Sequence, residues 1–327
     1  MNEKLKKLIL TKPHRIDWSI FFPKFLPYLS LKMKVDLSDV FFESCIYEEL
    51  EKVKACVTLG FDVNSESTDK KYTGLVIAAD HDEDDLELLE YLLSCRGIDV
   101  NKESGGYTPL MKACEKGNET IVKRLIQVPG IQFNHQGFNG CTAAYLAALH
   151  GNTECIKVLS TVEEVDWNLK DKLLGMTPLT EALNQKHSEC AEIILSIPGV
   201  DLMFTDSCGD TLANYAVLGG VECVWVLFCV DGIRWNEKNE DGDTPVMHAL
   251  KIGKYNVVNF LINVVNVDTN IRNKEGKCLE DLCKEEGVTE ILKTLPSRTA
   301  NLQKRINIPE CPVSYRFFSK HDFVSFL

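Results

Sequence analysis

A short phrase in which glycine stands two residues before threonine recurs along the chain, with 33 to 35 residues from each copy to the next. The threonine position is filled by Thr73, Thr108, Thr142, Thr177, Thr211, Thr244 and, with a different residue, Cys278. A glycine stands two residues before each of these positions except Thr73. Self-similarity with a period of roughly 20 to 50 residues is typical of repeat proteins. The period therefore predicts a stack of similar small units in place of one globular core.

The clearest copy of the unit, residues 106–134, indicates two short helices. Thr108 is suited to cap the free amides at a helix start, and Pro109 is tolerated at the first helical position. The apolar spacing predicts a first helix that ends at Gly117 and a second helix that begins near Asn118. Neither helix is long enough to be stable alone in water. Each unit must therefore pack on its neighbours.

The unit resembles the ankyrin repeat, which opens with Gly-x-Thr-Pro-Leu-His-x-Ala and closes with Gly-x-Asp-Val-Asn. Related closing phrases end at Asn64, Asn101, Asn168, Asn236 and Asn270. The resemblance implies an all-α fold, an α-solenoid of about six full repeats with atypical capping repeats at both ends. Where the family has histidine, this chain has Val76, Met111, Tyr145, Thr180, Asn214 and Met247. We therefore expect looser helix starts without a change of architecture.

Three segments are predicted: a basic and apolar N-terminal segment (1–36), the repeat array (37–296) and a C-terminal tail (297–327). Residues 1–34 hold eight Lys and Arg against two acidic residues. We interpret this segment as a cover for the first repeat, and the alternative is a membrane-surface or partner-docking segment. The tail around Cys311 resembles the opening of a RING-type zinc domain, but Ser314 occupies the second ligand position. Because a zinc site needs four ligands, we interpret the tail as a degenerate or truncated remnant.

Charge and composition narrow the class of partner. The formal net charge is −12, and without the basic residues 1–34 the remainder is more acidic still. Phosphate contacts need a basic surface, so nucleic acid is not expected as the main partner. We found no apolar run of membrane-spanning length and no secretory signal, which favours a cytoplasmic protein. The 13 cysteines are interpreted as reduced, with Cys114, Cys155, Cys190 and Cys229 on the buried sides of helices.

No catalytic motif was found, and no cofactor or metal is expected. The acidic loop 80–85 fails the calcium-loop pattern, because the sixth position is Asp85 and the twelfth is Tyr91 in place of glycine and glutamate. We therefore predict a non-enzymatic, elongated monomer that acts as a protein-binding scaffold or adaptor. The alternatives are a substrate-recognition part of a ubiquitin ligase, an inactive remnant of one, or a membrane-skeleton adaptor.

Two sets of apolar residues are candidates for partner contact through the concave groove and the loops between repeats, the finger loops. Four lie in the finger loops, where polar residues are expected, and four on first helices at positions predicted to face outward. They are Phe138, Leu173, Leu174 and Phe204 in the loops, and Leu146, Leu149, Tyr215 and Leu218 on the helices. The same outward register includes Lys112, Glu115, Lys116 and Glu181. In the alternative interpretation, Leu146 and Tyr215 turn inward and pack between repeats. Trp167 and Trp235 stand just before the closing asparagine and are expected in the core.

Overall fold

The computed structural model describes residues 37–81, 86–288, 291 and 293. These residues form α-helices that come in consecutive pairs, followed by one further helix. They are α1 (Leu37–Ile46), α2 (Leu50–Thr58), α3 (Gly74–Ala79), α4 (Glu87–Ser94), α5 (Pro109–Lys116), α6 (Glu119–Leu125), α7 (Ala143–Leu149), α8 (Thr153–Leu159), α9 (Pro178–Asn184), α10 (Ser188–Leu195), α11 (Leu212–Gly219), α12 (Val221–Phe228), α13 (Pro245–Lys251), α14 (Tyr255–Phe260) and α15 (Leu279–Glu285). In the described part, extended pairing is limited to isolated bridges such as Ser104 with Tyr107. The predicted all-α solenoid class is confirmed.

Two compact units make up the chain, one ending at Glu181 and the other beginning at Ala182. In the first unit each first helix packs against the next first helix, as α5 does on α7, and against its own second helix. The second unit repeats this pattern with α11, α13 and α15. The predictions for residues 1–36, for most of the acidic loop and for the tail 297–327 fall outside the described residues.

The helix starts lie where the recurring threonine places them. Thr73, Thr108 and Thr142 directly precede α3, α5 and α7, and each hydroxyl oxygen accepts a backbone N–H from three residues ahead. The N···O distances of these bonds are 3.3, 3.3 and 3.1 Å in that order. Such a bond satisfies one of the amides that a helix start leaves without a partner. The predicted helix starts are therefore confirmed.

Loss of the family's histidine does not loosen every start, which corrects our expectation. At α9 the Thr180 hydroxyl oxygen accepts the backbone N–H of Thr177 at 2.7 Å. At α11 the Asn214 side-chain oxygen accepts the backbone N–H of Thr211 at 3.1 Å. A short polar side chain at this position thus closes the turn as a reciprocal cap. The expected loss of a hydrogen bond at the helix start is seen at Thr244, where the buried hydroxyl has no hydrogen-bond partner among the described residues.

The closing asparagine clamps one repeat to the next. The Asn64 side-chain nitrogen donates to the Gly97 carbonyl, and its oxygen accepts the backbone N–H of Asp99, both at 2.8 Å. Asn101 makes the same pair of bonds with Gly130 and Gln132 at the same distances. Each clamp satisfies backbone groups of the following loop, which explains why the asparagine recurs with the period.

Most of the tryptophan and cysteine side chains that were expected in the core are buried. Trp167, Cys114, Cys155 and Cys190 are buried as predicted. Trp235 and Cys229 are only half-buried, so the prediction is wrong in degree for these two. All twelve cysteines of the described part are free thiols.

Candidate protein-binding surface

Three large apolar side chains of the first unit are exposed on finger loops. Phe138 is 67% exposed, Leu173 67% and Leu174 66%. Their predicted exposure is confirmed. We refer to these three side chains together as the tip surface.

A buried carboxylate fixes the loop that carries the two leucines. Asp171 is only 6% exposed, and its side-chain oxygens accept the backbone N–H groups of Leu173 at 2.9 Å, Leu174 at 3.2 Å and Met176 at 2.6 Å. The Asp171 backbone N–H also donates to the Met176 carbonyl at 2.9 Å. Since the carboxylate holds the loop backbone from inside, both leucine side chains stay in solvent.

Phe138 lies on a loop that approaches the preceding repeat closely. Its backbone N–H donates to the Gly106 carbonyl at 3.1 Å. Gly106 has a φ of +90°, and a Cβ at this position would lie 2.7 Å from the Phe138 Cβ. Glycine is therefore required for both the backbone conformation and the approach.

Direct hydrogen bonds join the two loops. The Lys172 backbone N–H donates to the Asn139 carbonyl at 2.7 Å, and the Gln136 side-chain nitrogen donates to the Lys170 carbonyl at 2.9 Å. Gly140 permits this approach, because a Cβ there would lie 2.7 Å from Lys172 Cγ. The tip surface is thus carried on two loops whose backbones are bonded to each other.

The other candidates of the first unit lie on α7 and are less accessible. Leu146 is buried, and Leu149 is half-buried. Leu146 is the fourth residue after its threonine, and the same register holds Ile77, Lys112 and Glu181, all buried. This register faces into the stack of first helices, so the outward assignment of Leu146 was wrong and its inward alternative is confirmed.

Two candidates of the second unit also prove to be buried. Phe204, expected at an exposed loop tip, is 1% exposed, and its ring packs edge to face on Tyr215 with centroids 5.9 Å apart. The Tyr215 hydroxyl donates to Asp206 at 2.8 Å, and burial with this carboxylate raises the pKa of Tyr215. These placements correct the exposure predicted for both residues. Leu218 is half-buried.

Met203 is an exposed apolar residue of the second unit that sequence reasoning missed. Met203 is exposed and stands where other repeats have the closing asparagine. A methionine cannot make the hydrogen bonds of the asparagine side chain, and here the Arg234 guanidinium donates to the Met203 carbonyl at 2.7 Å. The departure from asparagine at that register was the signal in the sequence. Ile46 and Tyr47, at the turn after α1, are also exposed and were not singled out.

Lys112, expected to face outward, is 6% exposed and forms the centre of a charged cluster in the first unit. Its ammonium lies 4.1 Å from the centroid of the Tyr107 ring and 5.1 Å from that of Tyr72. It donates to Glu115 at 2.5 Å, and the Tyr107 hydroxyl donates to the same carboxylate at 2.7 Å.

Burial alone would lower the pKa of Lys112, but Glu115 and Asp80 hold it above its usual value. The signal in the sequence for this cluster was that a tyrosine directly precedes the threonine in two consecutive repeats, at Thr73 and at Thr108.

Other features of the described residues bear on ligands and membranes. A cavity of about 450 Å³ in the first unit is lined by Tyr47, Glu48, Tyr72, His81 and neighbouring residues. Groups of three or more metal-binding side chains were not found in the part of the chain that the structure describes. Among the described helices, none combines the length and the apolar character that crossing a bilayer requires.

Comparison with known proteins finds relatives that match this chain over part of its length. Tyrosine-protein kinase HTK16 of Hydra vulgaris is 28% identical over 48% of this chain and 21% of the kinase. SMC5-SMC6 complex localization factor protein 1 of Bos taurus is 33% identical over 50% of this chain and 16% of that protein. Probable E3 ubiquitin-protein ligase XBOS32 of Oryza sativa subsp. japonica is 26% identical over 38% of this chain and 31% of the ligase. The chain thus spans less than a third of each of these relatives.

The structural and family comparisons agree on the architecture. The ankyrin repeat domain of Bcl-3, a member of the IkappaB protein family, matches with a TM-score of 0.59 and 22% identity over 68% of this chain and 98% of that domain, which shows a likeness of fold alone. A family model described as ankyrin repeats in three copies matches residues 41–136, 121–206 and 145–239, and a single-repeat model matches 241–274. Because these models cover more than half of its length, the chain belongs to the ankyrin repeat family.

Proposed function

We propose that the chain is a non-enzymatic scaffold or adaptor that binds another protein through the tip surface of its first unit. The ankyrin repeat is in general an interaction module, which supports a binding role over catalysis. The observation that carries the proposal is that Phe138, Leu173 and Leu174 are each exposed by about two thirds while their loop backbones are held by hydrogen bonds. Exposed apolar side chains on a preorganised backbone are favourable for protein binding, because little order must be gained on association.

The half-buried Leu149 and Leu218 are proposed as secondary contacts within their own units. Phe204, Leu146 and Tyr215 are proposed to support the fold and not to touch the partner, since their side chains are buried. The partner is proposed to be a protein and the array to act as a monomer. A reducing compartment such as the cytoplasm suits the twelve free thiols of the described part.

Comparative affinity capture tests the proposal. The full chain and a Leu173→Ser/Leu174→Ser variant are each used as bait, and recovered proteins are quantified by mass spectrometry. A protein that the parent chain retains and the double variant loses supports the proposal. Ile252→Ser is the matched control, because Ile252 is an exposed apolar residue of the other unit. Equal recovery by all three baits would contradict the proposal.

A second candidate is substrate recognition for a ubiquitin ligase, favoured by the similarity to probable E3 ubiquitin-protein ligase XBOS32. Only 31% of that ligase is covered, so its activity is not carried over to this chain. Reconstitution with ubiquitin, an activating enzyme and a panel of conjugating enzymes separates the candidates. Ubiquitin chains formed in the presence of the chain would favour the ligase, and none would favour the adaptor.

A further inference from the structure

The exposed charged side chains within the two segments that carry the tip surface are positive, whereas the chain as a whole is acidic. The exposed carboxylate of Glu103, which lies 2.8 Å from His135 of the first segment, belongs to a third loop. In the two segments that carry the tip surface, 135–141 and 169–176, Asp171 is the one carboxylate in the sequence. It is buried and engaged with three backbone N–H groups, so it presents no acceptor to a partner. The exposed charged side chains of these segments are Lys170 and Lys172. The chain as a whole carries −12.

Lys172 is the better placed of the two lysines. It directly precedes Leu173, and its backbone N–H is bonded to the neighbouring loop at the Asn139 carbonyl. Its stem runs close to Gly140, since a Cβ on that glycine would be 2.7 Å from Lys172 Cγ and 2.9 Å from the Lys172 nitrogen. The backbone and the first part of the Lys172 side chain therefore lie against the neighbouring loop, directly before the exposed Leu173 in the chain.

We infer that the tip surface of the proposed scaffold takes an acidic, apolar peptide segment, whose large apolar side chains cover Phe138, Leu173 and Leu174 while a carboxylate meets Lys172. The inference rests on the proposed function and adds the chemistry of the partner. Apolar contact supplies affinity at such a surface, and charge complementarity supplies selection and association rate. A nucleic acid would also meet the lysines, but it would leave the three apolar side chains uncovered.

Peptide selection tests the inference before any natural partner has been identified. A display library of random peptides of about 12 residues is selected on the intact chain and counter-selected on the Leu173→Ser/Leu174→Ser variant. We expect the surviving peptides to combine Asp or Glu with Leu, Ile, Phe or Trp. Peptides that survive without acidic residues would overturn the inference while leaving the proposed function standing. If no peptide depends on Leu173 and Leu174, both the inference and the proposed function fail.

Affinity measurement on one selected synthetic peptide then isolates the charge. We expect Lys172→Glu to weaken the Kd about fivefold to tenfold, with a smaller effect as NaCl rises from about 0.05 M to about 0.5 M. Lys238→Glu is the matched control, since Lys238 is an exposed lysine of the other unit, and its Kd should match the parent value. An unchanged Kd for Lys172→Glu would overturn the inference. So would displacement of the peptide by a DNA duplex at equal concentration, because the surface would then select for phosphate.

Discussion

The carboxylate of Asp171 accepts the backbone N–H of Leu173 at 2.9 Å, so a buried charge determines where an exposed leucine stands. The two residues have opposite environments although they are two positions apart in the chain. The aspartate provides the internal bonds of the loop, and the leucine remains available to a partner. In the proposed function, the order that Asp171 gives to the loop therefore positions a side chain that contacts the partner.

Replacing Asp171 by Ala should loosen the loop. Three backbone N–H groups would lose their acceptor, and we expect a loss of about 1 to 3 kcal/mol in the free energy of unfolding. The amides of Leu173 and Leu174 should exchange with deuterium faster than in the parent. Asp166→Ala is the control, because Asp166 is exposed and accepts a single backbone N–H, that of Asn168, at 2.9 Å. Equal effects of the two substitutions on unfolding and exchange would show that Asp171 does not organise the loop.

The carboxyl of Glu115 should make stability depend on pH. Burial alone would raise its pKa, but hydrogen bonds from Lys112 and Tyr107 more than offset this and lower it below the usual 4.5. A carboxyl with a lowered folded pKa stabilises the protein above its unfolded pKa, and that contribution is lost as the pH falls through the folded value. We expect Glu115→Gln to be less stable than the parent at neutral pH and the difference to shrink below about pH 4.5.

Urea unfolding at a series of pH values checks this dependence. Glu163→Gln serves as the control, because Glu163 is exposed, and its difference from the parent should stay small throughout. A difference between Glu115→Gln and the parent that is constant down to about pH 3 would argue against the lowered pKa.

Two threonines in the same register should differ in their contribution to stability. Thr108 and Thr244 are both buried, both are followed by proline, and both have methionine three residues ahead. The Thr108 hydroxyl accepts the Met111 N–H at 3.3 Å, whereas the Thr244 hydroxyl has no partner among the described residues. We expect Thr108→Ala to cost about 1 kcal/mol more than Thr244→Ala in urea unfolding. Equal costs would mean that the cap contributes nothing measurable.

The sequence alone predicted the repeat, the helix starts and the exposed tips. Period, threonine caps and glycine turns are local signals, and each describes its own segment. Phe138 and Leu173 were found because large apolar residues are unexpected in a turn.

The orientation of the first-helix residues could not be predicted in the same way. Lys112, Leu146 and Tyr215 share one register and are all buried, although one is charged and one carries a hydroxyl. Lys112 is compensated by Glu115 and two tyrosine rings, and Tyr215 by Asp206. Tyr72 comes from the preceding repeat, and Tyr107 and Asp206 come from the loops before their helices. Side-chain type along one helix therefore does not reveal which face is buried. Phe204 was misplaced for a related reason, since its ring is covered by Tyr215 from α11.

Binding of the captured partner protein to single-residue variants tests the central claim most directly. Kd and melting temperature are measured together for the parent, Phe138→Ala, Leu173→Ala and the control Tyr47→Ala, which removes an exposed tyrosine of the same unit. We predict that the two tip variants weaken binding by roughly 1 to 3 kcal/mol each, while the control binds as the parent does. Their melting temperatures should match the parent value, because the tip side chains are in solvent. Unchanged affinity in both tip variants, or a loss of affinity that follows a fall in melting temperature, would contradict the claim that the tip surface is the binding site.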